Sequence, residues 1–167
     1  MKPRLLFAAP ALACAALLAY GYYLQYFDAQ DPCPLCLVQR GFYFLVLFTF
    51  LAATVHNPAK RLVKNIYCGA ATCFALGGLG IAGRQVWLQH LPPDQVPACG
   101  PDLYFMLENL PLARTLEKLF IGSGQCAEVH WKFLGLSIAE WSLAWFAALA
   151  VYALWLALRE SAAVQSS

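Results

Sequence analysis

The chain has 167 residues, of which 61% are hydrophobic, 14% aromatic and only 12% charged. Soluble domains carry about twice that charged fraction. The length alone fits one soluble domain, but the distribution of the apolar residues argues against it.

The first apolar stretch runs roughly from Leu5 to Tyr26. It opens as KPRLLFAAPALACAAL, with a charged start, an apolar centre and small residues before Cys14, the layout of a signal peptide or lipoprotein cleavage site. The apolar run continues well past Cys14, so an uncleaved first span is the better reading. A short loop holding DPCPLC follows, then a second stretch from Leu37 to Val55. The turn HNPAKR leads to a third, Ile66 to Ala82, and a long mixed segment precedes the fourth, Trp141 to Leu158. Each approaches the ~20 residues that cross ~30 Å of hydrocarbon. Backbone groups in lipid must bond internally, which makes these helices rather than strands. The expected architecture is an all-α integral membrane protein, one domain built as a four-transmembrane-helix bundle.

Basic residues in the short flanks orient it. Lys2, Arg4, Lys60, Arg61, Lys64 and Arg159 share one side with a single acid, Glu160, while the other eight acids lie on the opposite side. Both termini and the loop of about 56–65 are expected in the cytoplasm. The loops of about 27–36 and 87–140 then face outward, into the periplasm of a bacterium. Tyr22, Tyr23, Tyr26, Trp87 and Trp141 gather at the outward ends like an aromatic belt.

That topology sorts the seven cysteines. Cys14, Cys68 and Cys73 fall inside spans and read as small packing residues. Cys33, Cys36, Cys99 and Cys126 lie outward, an even number in an oxidising compartment, with three possible pairings. For the C-x-x-C pair, haem attachment requires a histidine where Leu37 stands. Zinc usually takes two close ligand pairs, whereas Cys99 and Cys126 are far apart. A C-x-x-C disulfide closes a very small loop and adds little stability, so chemistry is the better reason for it. A Cys99–Cys126 bond reads equally as a staple or as an exchange partner.

The setting of Cys36 favours reactivity. Pro34 suits the first turn of a helix, which puts Cys36 near the positive end of its dipole and Arg40 one turn further on the same face. Both favour a thiolate, the form that attacks disulfides. Arg40 alone could be a lipid-facing snorkelling residue; beside a redox pair it can also hold negative charge that builds on a reduced acceptor. No glycine-rich nucleotide motif, haem motif or metal set is evident. A quinone, ubiquinone or menaquinone, is therefore the acceptor left by elimination.

The long outward segment supplies the second pair. LPPDQVPACGPDL is rich in turn formers, which places Cys99 on a loop. Leu103, Met106, Leu107 and Leu110, then Leu112, Leu116, Leu119 and Phe120, fit short amphipathic helices on the membrane surface. GSGQC reads as a flexible approach to Cys126.

CPLCLVQR in the first outward loop, VPACGPDLYFML around Cys99 and GSGQCAEVHWKFLGLSIAEWSL leading into the last span, in this order, resemble the DsbB family. Those are bacterial inner-membrane thiol oxidases that pass electrons from a periplasmic dithiol oxidant to quinone, and the resemblance covers nearly the whole chain. It implies that Cys33 and Cys36 are the quinone-facing pair and that Cys99 and Cys126 meet a DsbA-like partner. It further implies that Arg40 serves the quinone site, and that a short horizontal helix lies in the second periplasmic loop. No nucleic-acid partner is expected. Some family members carry a histidine near the quinone in the block written here GRQVWLQ, where this chain has Gln85 with Arg84 beside it; Gln85 can hydrogen-bond a quinone oxygen but cannot titrate. Two alternatives stand beside this reading. A vitamin K epoxide reductase-like enzyme carries its C-x-x-C near the last spans, the reverse of the order here. A non-catalytic scaffold stapled by disulfides would not need Cys36.

Overall fold

A computed structural model describes residues 3–27, 32–92, 94–96, 108, 111, 114, 124–127, 129 and 131–165. Helix α1 spans Pro3–Phe27, α2 Pro34–His56 and α3 Arg61–Gln89. A single turn, α4 (Gly124–Ala127), is followed by β1 (Lys132–Phe133), β2 (Leu136–Ser137) and the last helix α5 (Ile138–Gln165). Four of these helices are long and apolar enough to cross a bilayer, within Arg4–Phe27, Pro34–His56, Arg61–Gln89 and Ile138–Arg159. The fold is the expected four-helix membrane bundle. The amphipathic pieces expected between Leu103 and Phe120, and with them the horizontal helix, lie outside the described residues, as does Cys99.

Helix α3 is the hub, packed against both α2 and α5, while α1 packs on α2. Its buried side is a stripe of small residues, Cys68, Ala71, Ala75, Gly78 and Ala82, at the three- and four-residue steps of one helix face. In a membrane such stripes let backbones approach closely, which is where packing energy comes from when lipid is as apolar as leucine. Cys14 and Cys68 are buried as expected of packing residues. Cys73 is not: it falls between Ala71 and Ala75, off the stripe, and lies exposed on the outside of the bundle.

Where α3 comes nearest its neighbours, glycine is required by space. A Cβ on Gly78 would lie 2.3 Å from the Phe146 ring, which stacks on Tyr43 with centroids 4.1 Å apart and so has little room to give. Gly78→Ala is therefore expected to cost about 1–3 kcal/mol through overpacking, read as a lowered thermal midpoint in detergent. Gly80→Ala on the open side, where a Cβ meets nothing within 4 Å, should hold or raise the midpoint through helix propensity. Equal midpoints for the two variants would refute the packing account.

Several hydroxyls on the spans bond to backbone carbonyls. Thr49, Thr54 and Thr72 each return their hydroxyl to the carbonyl four residues back, at 2.7, 2.8 and 2.8 Å. The hydroxyl of Tyr152 donates to Leu6 O at 3.0 Å and ties α5 to α1. Helix α2 ends at Asn57 in the left-handed region, its N–H bonded to Ala53 O, with Pro58 barring continuation.

Two features differ from the apolar pattern. The third apolar stretch ended at Ala82, but α3 continues about two turns beyond it, to Gln89. Arg84 is itself a good helix former, and its guanidinium lies over the Trp87 ring, 4.1 Å from its centroid. At the far end of the chain, β1 and β2 form a two-residue hairpin turned by Leu134 (φ 53°) and Gly135 (φ 83°), and a positive φ at both central positions matches the twist of the strands. The hairpin delivers Ser137 to the start of α5, where a reciprocal cap forms. Ser137 N donates to Glu140 Oε2 at 2.7 Å, and Glu140 N donates to Ser137 Oγ at 3.3 Å.

Candidate active site

The site grows from the first turn of α2. Cys33 is the N-cap, with extended backbone, and its sulfur accepts from Cys36 N at 3.4 Å. Pro34 occupies the first helical turn, where its missing N–H costs nothing. The two sulfurs of the C-x-x-C pair are brought to 3.0 Å, with the Cys33 thiol donating to Cys36 Sγ. Cys33 is buried, whereas Cys36 is partly open.

Cys126 is brought to the same place from the other side. It lies in α4, which packs on α3 and α2, and it is buried with Cys33, Leu35 and Leu88. The flexible approach read from GSGQC is thus, at Cys126 itself, a packed helical turn. Hydrogen bonds to Cys126 and then to Cys36, together with burial, push the Cys33 thiol well above its ordinary range. Cys33 therefore stays protonated at neutral pH unless it is in a disulfide, and it acts as a donor to its neighbour. Three of the four sequence-derived cysteines are gathered here; the fourth, Cys99, lies outside the described residues.

Arg40 is held by α1 rather than by the sulfurs. Its Nη2 donates to Gly21 O at 2.9 Å, its Nη1 donates to Gln25 Oε1, and its guanidinium lies 4.8 Å from the centroid of the Tyr22 ring. It nevertheless lines the same cavity as Cys33 and Cys36, a mostly apolar volume of about 510 Å³. Residues of α1, α2, α3, the hairpin and α5 complete the wall, among them Leu24, Tyr43, Trp141 and Trp145.

Gln85 also lines this cavity, but its amide is engaged with sulfur. Its Nε2 lies 3.2 Å from Cys36 Sγ and 3.4 Å from Cys33 Sγ. Its Oε1 accepts from Gln39 Nε2 at 2.6 Å and, at 3.6 Å, from the Cys36 thiol. Arg84 points elsewhere, onto Trp87. Directly after the block GRQVWLQ stands His90, exposed at the end of α3, with Nδ1 2.8 Å from Val86 O. Gln39 had no place among the sequence-derived candidates. A signal for it existed: a lone amide in an apolar helix, three residues past Cys36 and on the face that carries Leu35 and Tyr43.

A family model described as Disulfide bond formation protein DsbB matches residues 3–156. The chain belongs to the DsbB family. Among its relatives is a Disulfide bond formation protein B of Nitrosococcus oceani, 50% identical over 85% of this chain and 83% of the relative. Proteins with the same description from Methylococcus capsulatus and Acinetobacter baumannii are 48% and 43% identical, over 86% of this chain in each case and 87% and 84% of the relatives. Family membership and four apolar helices together place the chain among multi-pass membrane oxidoreductases of disulfide bond formation. The cavity brings the sulfurs of Cys33 and Cys36 together with open space in one place.

Proposed function

We propose that the chain is a thiol:quinone oxidoreductase of the bacterial inner membrane that reoxidises a periplasmic DsbA-like dithiol protein and passes the electron pair to a membrane quinone. The observation that carries this reading is the shared cavity: Cys36 and the Arg40 guanidinium line one mostly apolar volume, beside the point where Cys126 meets Cys33. An apolar wall suits a lipid-soluble ring, and a fixed cation suits an oxygen that gains negative charge. A quinone bound there supplies the oxidising power, taking up two electrons and two protons overall.

The chain's own residues run the exchange. A partner thiolate attacks Cys99 of a Cys99–Cys126 disulfide, forming a mixed disulfide and leaving the electron pair on Cys126. The partner's second thiol then displaces Cys99, so the partner departs with a new disulfide. Cys126 attacks Cys33 of a Cys33–Cys36 disulfide; the Cys33–Cys126 bond forms and the pair moves to Cys36. Cys99 closes the cycle by attacking Cys126, which frees Cys33 and leaves a reduced Cys33/Cys36 pair at the cavity. Burial of Cys33 and Cys126 keeps this exchange from other thiols. The excess of basic residues on the other loop and the termini supports a periplasmic placement of the cysteines.

The test is quinone reduction by the purified protein in detergent, supplied with a reduced periplasmic dithiol partner. Turnover followed by quinone absorbance is expected, with one partner disulfide made per quinol. No turnover with either ubiquinone or menaquinone, from folded protein, would sink the proposal.

A further inference from the structure

Two neutral amides lie almost fully buried beside the sulfur pair, Gln39 at 3% exposure and Gln85 at 4%. Burying an amide in an apolar bundle is unfavourable unless its hydrogen bonds are made. Here one of those bonds decides the other. Gln39 Nε2 donates to Gln85 Oε1 at 2.6 Å, and the Gln85 nitrogen lies 3.2 Å from Cys36 and 3.4 Å from Cys33, nearer the sulfurs than its oxygen, which stands 3.6 Å from Cys36 Sγ. The flipped amide would set its NH₂ against that of Gln39, donor to donor.

A neutral thiol is a weak acceptor, so a locked amide donor gains most when the sulfur carries charge. The exchange creates that charge. When Cys126 attacks Cys33, the Cys33–Cys36 bond breaks, the Cys33–Cys126 bond forms, and the electron pair remains on Cys36.

We propose that Gln85 is a positioning residue for this step: it holds both sulfurs of the pair and offers an N–H to the anion left on Cys36, while Gln39 sets the orientation of its amide. The inference rests on the dithiol relay described above and deepens it. It assigns to the two glutamines a role in the life of the sulfur rather than in holding the acceptor. It also gives a physical reason for a polar residue at position 39, one turn deeper than Cys36, on a buried face of an apolar helix.

The experiment needs neither partner nor quinone. Full-length protein in detergent is reduced, treated with iodoacetamide across a range of pH, and the modification of Cys36 is followed by peptide mass spectrometry. At about pH 7, Gln85→Met, which keeps the side-chain length and removes the donor, is expected to slow Cys36 alkylation about tenfold. Gln39→Met leaves Gln85 in place and removes only its orientation, and is expected to slow it about threefold. Near pH 10 both should converge on the parent rate, since hydroxide ionises the thiol in every case. A parent-like rate at pH 7 in either folded variant overturns the proposal, and so does a slowdown that persists undiminished at pH 10, which is what a packing defect alone produces. Should Gln85→Met fail to fold, Gln39→Met decides by the same criteria. Failure of the quinone assay with this pH profile intact would remove the acceptor reading and leave the positioning role standing; the converse result would do the opposite.

Discussion

Cys36→Ser is expected to lower thiol-driven quinone reduction by at least about a thousandfold, because loss of a covalent nucleophile is not replaced by its neighbours. Both sulfurs of the pair line the cavity; Cys36 is the more open of the two, while Cys33 is buried against Cys126. Serine at position 36 cannot form a disulfide with Cys33, so no oxidised pair can be regenerated at the cavity. Cys33 and Cys126 remain in contact, but with no Cys33–Cys36 disulfide for Cys126 to attack, non-reducing peptide mapping after treatment with the reduced partner should find Cys33 as a free thiol. Thermal unfolding should be near that of the parent, since oxygen for sulfur in the first turn of α2 removes little packing. Turnover within about tenfold of the parent would favour a stapled scaffold over a relay.

Arg40→Met should act on a different step. Removing a preorganised charge from the place where negative charge develops costs about a hundredfold or more in enzymes of many kinds. The expected result is a loss of that size in kcat/KM for quinone. Reduction of the Cys33–Cys36 disulfide by the dithiol partner, measured without quinone, should stay within about twofold of the parent, because no hydrogen bond joins Arg40 to either sulfur among the described residues. Arg40→Lys should fall between, at about a tenfold loss. It keeps the charge but cannot reproduce the two-pronged hold on Gly21 O and Gln25 Oε1 that fixes the guanidinium on α1. If Arg40 only snorkelled to lipid phosphate, neither substitution would change the quinone kinetics in detergent.

Cys33 is held above its ordinary range by hydrogen bonds to Cys126 and Cys36 and by burial. It is therefore a poor attacking group at neutral pH, which suits the proposed relay, where Cys33 is attacked by Cys126 and does not itself attack.

Much of this molecule can be read from local sequence. Four long apolar stretches specify four helices because lipid leaves the backbone no other way to satisfy its polar groups. Pro34 after Cys33 marks a helix start, which places Cys36 in its first turn and Arg40 one turn further along; the structure keeps both placements. Capping and helical spacing act over a few residues, so a one-dimensional pattern carries them. The reach of α3 was harder to read, because Arg84 and Gln85 interrupt the apolar run. Both residues are good helix formers, so α3 runs on past the end of the apolar pattern.

Contacts across the chain were not legible in that way. Gln85 and Cys36 stand 49 residues apart, and Gln39 and Gln85 stand 46 apart; nothing in either neighbourhood names the other. The same holds for Cys126, whose glycine-flanked setting reads as flexible until α4 is seen packed between α2 and α3. Composition, span length and the C-x-x-C at a helix start were thus already written in the chain, since they depend on solvent and on neighbours in sequence. Which amide meets which sulfur follows from how closely the small-residue stripe of α3 lets α2 approach, and the anchoring of Arg40 to α1 follows from the packing of α1 on α2; both are properties of the packed bundle alone.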